Sequence, residues 1–80
     1  MADVICEIRR AGITPEGLAQ LDVRSQNGSF DWTWVLSKDG LGREMLATAL
    51  AAIVSGKFIE CVIEDPVLTW SRVTRLLIVK

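Results

Sequence analysis

The chain has 80 residues, half of them apolar, and nine Lys and Arg against ten Asp and Glu give it a formal net charge of −1. One domain of this size buries only about 60–65% of its unfolded surface, so this much apolar material calls for a disulfide or for burial against further copies of the chain. There is no histidine, the two cysteines are not in a CxxC motif, and the basic residues are scattered, which argues against zinc or other metal sites, a cofactor, His-dependent catalysis and a nucleic-acid stripe.

The N-terminus, MADVICEIRR, runs straight into a strand pattern without the ordered regions of a leader peptide. Two readings stand: a cytoplasmic chain, or a secreted or periplasmic one whose leader was removed. In residues 3–10, Val4, Cys6 and Ile8 alternate with Ile5, Glu7 and Arg9, the pattern of a half-buried strand. Gly12, Thr14, Pro15 and Gly17 then mark a turn. Residues 18–25 alternate again, with Ala19, Leu21 and Val23 on one face, and Asn27-Gly28 predicts a hairpin because both residues tolerate positive φ. Residues 30–36 predict a third strand, with Phe30, Trp32, Trp34 and Leu36 on one face and Asp31, Thr33 and Val35 on the other.

The period changes after residue 38. Asp39 reads as an N-cap and Gly56 as the residue just past the end of a helix over 41–55. Its apolar residues, Met45, Leu46, Ala47, Ala49, Leu50, Ile53 and Val54, cover an arc of roughly 200°, about twice what one-sided packing uses. Glu44, Thr48, Ala51 and Ser55 make the narrow, weakly polar remainder. Such a helix calls for neighbours on both flanks. No apolar run is long enough to span a bilayer. Residues 57–64 predict a fourth strand with Ile59, Cys61 and Ile63 on one face, ended by Asp65-Pro66, and residues 70–80 a fifth.

The order β-β-β-α-β-β in a single domain fits a small β-barrel with one helix, the OB-fold arrangement, in which closure hides the sheet edges. In that arrangement the first strand pairs with the fourth and brings Cys6 beside Cys61. The pair reads either as two buried thiols or as a disulfide, which would close a loop of about 55 residues worth roughly 4 kcal/mol.

One resemblance runs along nearly the whole chain. Cys6 near the start, the F-x-x-x-W of Phe30 and Trp34, the helix LATALAAIVSG ending at Gly56, the strand KFIECVIE with Cys61 and the closing VTRLLIV together resemble the pentameric B subunits of bacterial A–B toxins, of the Shiga and subtilase cytotoxin type. That resemblance implies an OB barrel, a homopentameric ring with the helices around a central pore, and cell-surface glycan binding. It also implies a pore-facing stripe of Glu44, Thr48, Ala51 and Ser55. The loop LSKDGLG is an extension relative to the Shiga-type subunits, and the loop AGITPEG stands where theirs is acidic.

For the aromatic triplet Phe30, Trp32 and Trp34, one reading is a core or subunit-interface face and the other a ligand platform, with Trp34 the favoured exposed ring. Trp70 reads as a barrel-end plug or an exposed loop aromatic. Arg72 and Arg75 read as solvated charges, and the acidic Glu60, Glu64 and Asp65 as surface salt-bridge partners, with a glycan hydroxyl or a weak cation on Glu60 and Glu64 as the alternative. No residue pattern supports catalysis; an Asp31–Glu60 carboxylate pair has only residue type in its favour. The expectation is a non-enzymatic, ring-forming module that binds a carbohydrate or docks a separate A-type protein. A structural oligomer of bacterial or phage origin is one alternative. A single-strand nucleic-acid binder using Trp32 and Trp34 is another, and it lacks a positive groove.

Overall fold

The computed structural model describes residues 2–79. The elements follow the expected order: β1 (Ala2–Ile13), β2 (Ala19–Ser25), β3 (Thr33–Ser37), α1 (Gly42–Ser55), β4 (Ile59–Ile63) and β5 (Arg72–Ile78). The strands close into a barrel in the order β1-β2-β3-β5-β4, with β1 pairing back onto β4. Every pairing is antiparallel except β3 with β5, which run parallel through Leu36–Arg72 and Ser37–Val73. This is the OB-like barrel that the alternation predicts.

The inward positions are those of the period-2 pattern. Cys6, Ala19, Leu21, Val23, Val35, Ile59, Cys61, Ile63 and Val73 are wholly buried. Removing the side chain of Leu21 from this core would cost about 2–5 kcal/mol. The helix packs on β1, β2 and β5 and buries Met45, Ala49 and Ala52 at helical spacing. Its start is held by Gly42: a Cβ there would lie 2.0 Å from the Gly17 carbonyl oxygen, so only glycine lets the helix meet the β1–β2 loop. Gly56, at φ 68, ends the helix in the left-handed conformation. Among the described residues no helix is long and apolar enough to cross a membrane.

Four local expectations are corrected. Asp39 is not the N-cap: Leu41 holds that position without a side-chain bond, and the Asp39 carboxylate instead accepts from Arg72. The 27–28 hairpin is a longer loop in which only Gly28 has positive φ. There the Ser25 hydroxyl bonds both backbone groups of Phe30, while Asp31 accepts from Trp32 N–H and Thr33 Oγ1–H. These bonds take residues 30–32 out of the ladder, so β3 begins at Thr33. The two tryptophans are not core: Val35 and Ser37 point inward and are buried, Trp32 and Trp34 are half-exposed on the outside, and of the three aromatics Phe30 packs, half-buried, against the core. The narrow interior of a five-strand barrel takes small branched side chains in place of indoles.

The cysteines meet as the strand order requires but form no disulfide. Val4 pairs with Cys61 and Cys6 with Ile59, so the two thiols are diagonal neighbours, two positions out of register. Both are fully buried, and contact with Cys6 together with burial pushes the Cys61 thiol up.

Candidate functional site

The outer wall of β1, β2 and β3 carries most of the polar chemistry. Strict alternation would turn Arg10 into the barrel. A bulge at Arg9 prevents this: Ile8 pairs with Val23 and Arg10 with Asp22, leaving Arg9 as the extra residue. Both arginines therefore reach the outer face. Asp22, between the inward Leu21 and Val23, points outward, yet is only 1% exposed because they cover it. A single carboxylate oxygen, Oδ2, accepts from Arg9 Nε at 2.7 Å and from Arg10 Nε at 3.0 Å, and Arg10 Nη2 lies 2.8 Å from it in the ion pair.

Two tryptophans complete this wall, Trp34 on β3 and Trp32 just before it. The Arg9 guanidinium lies 4.2 Å from the Trp32 ring centre and the Arg24 guanidinium 4.8 Å, so two cations already occupy that ring. Arg24 is itself paired with Glu7. The Arg10 guanidinium lies 4.9 Å from the Trp34 ring. Trp34 stacks on Trp70, with ring centres 6.4 Å apart and planes 25° from parallel.

Trp70 comes from the loop between β4 and β5. Its N–H donates to the Trp34 carbonyl at 2.7 Å, and the next residue, Ser71, is bonded to Leu68 through both its backbone and its hydroxyl. Held on both sides, Trp70 adopts φ 70, the one non-glycine positive φ among the described residues. A bulky residue in this region is strained by about 1–3 kcal/mol. Its ring is 48% exposed. The exposed loop aromatic is thus the reading that holds for Trp70.

Beside Trp70 lies a hollow of about 330 Å³ lined by Thr14, Glu16, Leu18, Gln20, Leu36 and Arg72. The β1–β2 loop forms its far side and is closed on itself, because Thr14 exchanges backbone bonds with Leu18 and Gly17 while its hydroxyl accepts from Leu18 N–H. Arg72 is steadied by the Ser37 carbonyl and Asp39, each at 3.1 Å. The hollow thus offers a hydroxyl, a carboxylate, an amide and a guanidinium around an aromatic face.

The predicted site residues do not gather in one place. Trp34 backs this hollow through Trp70, and Trp32 lies under its two arginines. Phe30 sits apart, half-buried, in a separate hollow with Asp3, Asn27, Asp65 and Val67. In the helix stripe, Glu44, Ala51 and Ser55 are exposed and Thr48 is half-buried; the Thr48 and Ser55 hydroxyls donate back to the Glu44 and Ala51 carbonyls. Among the described residues no group of three or more His, Cys, Asp or Glu could hold a metal ion. Sequence reasoning missed Arg9, Arg10, Asp22, Thr14, Glu16, Gln20 and Arg72 as site residues; their proximity depends on a bulge and on loop packing.

No protein-family model matches the chain, and neither a curated protein nor a solved structure matches it.

Proposed function

We propose that the chain is a non-enzymatic OB-barrel module that binds a carbohydrate in the hollow between the β1–β2 loop and Trp70. We propose further that it works as a ring of copies, as the toxin B subunits it resembles do. The observation that carries the binding reading is Trp70. Its backbone is strained at φ 70, and its ring is half-exposed at the edge of a hollow instead of filling the core. Strain of this kind concentrates at binding sites. A sugar presents an apolar C–H face for the indole and hydroxyls that both donate and accept; Thr14, Glu16, Gln20 and Arg72 supply both partners. OB barrels take ligands on this wall and at these two loops.

The ring reading draws on the helix. Leu50 is 46% exposed and Val54 87% exposed, and Ala47 and Ala51 lie open beside them. This apolar strip has no cover in a single chain. Glycan-array binding of the wild type and of Trp70→Gly tests the site. Glycine relieves the backbone strain, so the variant is expected to fold normally and lose at least about tenfold in affinity, 1.4 kcal/mol. Unchanged binding would overturn this site. Native mass measurement tests the ring; a monomer at micromolar concentration would refute it.

A second reading, a single-strand nucleic-acid binder, gains from the Arg–Trp row on the same wall. Two of the row's three cations are offset by Asp22 and Glu7. A steep salt dependence for oligonucleotide affinity would favour it over the carbohydrate reading.

A further inference from the structure

We infer that Arg9 and Arg10, held together on Asp22, form an oxyanion subsite, and that the saccharide taken at Trp70 carries a sulfate or phosphate ester that this subsite reads. The inference rests on the carbohydrate reading for the rest of the ligand. Its own ground is the Asp22 cluster. Two guanidiniums side by side repel each other. Here a backbone bulge and one buried carboxylate bring them together, and both bond the same oxygen. One arginine would suffice to satisfy Asp22. The second leaves a positive charge over, fixed on the outer wall.

The donors left over are suitably placed in number. Arg9 uses only Nε on Asp22, and Arg10 uses Nε and Nη2. The remaining Nη groups of both have no protein acceptor among the described residues, and the side chains are 48% and 59% exposed. The indoles of Trp32 and Trp34 beside the guanidiniums restrict their motion, so little ordering is left to be done on binding. A tetrahedral ester has three terminal oxygens and can accept from both guanidiniums at once. A carboxylate has two, so it has fewer acceptor sites to divide between them. Arg10, Trp34 and Trp70 make a continuous stack from this subsite to the edge of the hollow. An ester on the ring beside the stacked sugar would reach it.

The test is an array that carries each oligosaccharide in matched sulfated and unsulfated form, read with the wild type, Arg10→Lys and Trp70→Gly. Circular dichroism checks each variant's fold. The wild type is expected to prefer the sulfated members by about tenfold, the scale of one charge-assisted hydrogen bond. Arg10→Lys keeps the charge and loses the fork. It should cut that preference, read as the ratio of matched members on the same variant, to about threefold or less. Trp70→Gly should lose both members. Equal binding of matched pairs by the wild type overturns the subsite and leaves the carbohydrate reading standing. A preference that persists in Arg10→Lys also overturns the subsite. Binding of a thymidylate oligomer with neither saccharide form bound overturns the carbohydrate reading along with it.

Discussion

Two walls of the same barrel are finished in different ways. On the β1–β2–β3 wall, the charged and aromatic side chains meet partners within the chain. Asp22 holds Arg9 and Arg10, Glu7 holds Arg24, and the indoles of Trp32 and Trp34 lie against guanidiniums or against Trp70. On the β1–β4–β5 wall, Ile5 pairs across Glu60 to Leu77, and Ile5 and Leu77 are 40% and 42% exposed. Phe58, next to β4, and the helix residues Leu50 and Val54 add to the exposed apolar surface. The first wall pairs most of its charges and rings within the chain and presents a shaped polar surface. The second leaves apolar area in water, which is the usual mark of an interaction surface. Further exposed apolar residues, Ile13, Leu68 and Trp70, lie away from this wall, at the end of β1 and in the β4–β5 loop.

If the first wall is self-sufficient, breaking its centre should cost folding stability whatever the chain's partners. Asp22→Ala removes a carboxylate that is 1% exposed and leaves two cations facing each other. Loss of a buried ion-pair partner can cost 3–5 kcal/mol; because the guanidiniums are half-exposed and water can re-solvate them, about 2 kcal/mol is expected. Urea unfolding measures it. A change below about 0.5 kcal/mol would mean that the cluster is a surface feature with no structural weight.

The second wall should respond the opposite way. Val54→Asp alters a side chain that is 87% exposed, so the stability of the dilute single chain should shift by no more than about 0.5 kcal/mol. In native mass measurement at higher concentration, the same change should reduce or abolish the proposed oligomer. Leu77→Lys gives an independent reading from the strand side. Loss of stability in the dilute chain would show that this surface is part of the fold and not an unfinished interface.

How legible the two walls are in sequence follows from what sets each. The core and the helix obey fixed periods. Period-2 alternation places Cys6, Leu21, Val23, Ile59, Cys61 and Ile63 inward, and the change of period with Gly56 marks the helix. The stretch 30–36 misleads because its polar residues, Asp31 and Thr33, both fall on the face opposite the aromatics. Side-chain size favours the aromatic face as core, whereas the width of the barrel selects Val35 and Ser37. The Asp22 cluster is hidden more deeply. It exists because a bulge breaks alternation after Ile8, and nothing in the string DVICEIRR announces a bulge. The hollow depends on the β1–β2 loop reaching Trp70 across β3 and β5, a meeting of residues more than fifty positions apart. The element order and alternation predict the barrel but give no sign of the Arg–Trp row.

The smallest expected effect distinguishes the walls by charge. On the unfinished wall, Glu60 lies diagonally from Asp3 across the β1–β4 pairing. The protonated Glu60 carboxyl donates to the Asp3 carboxylate, and this bond, the Asp3 negative charge and lost solvation raise Glu60 above its ordinary value of 4.5, while Arg75 pulls the other way. The folded chain then holds this proton more tightly than the unfolded chain. Its stabilising contribution is fully present below the unfolded value and is lost as pH rises through the raised folded value. A shallow decline in stability with rising pH is therefore expected from about pH 4.5 upward. In Asp3→Asn both the charge and the carboxyl partner are gone, and that component of the slope should flatten. A slope that survives the substitution, or that runs upward only in the wild type, would remove the carboxyl pair as its source. If the decline is steeper in the assembled protein than in the dilute chain, Glu60 ionises at a surface that a second copy covers. Burial against a neighbour would raise its value further, and the apolar wall would then be where assembly and pH meet.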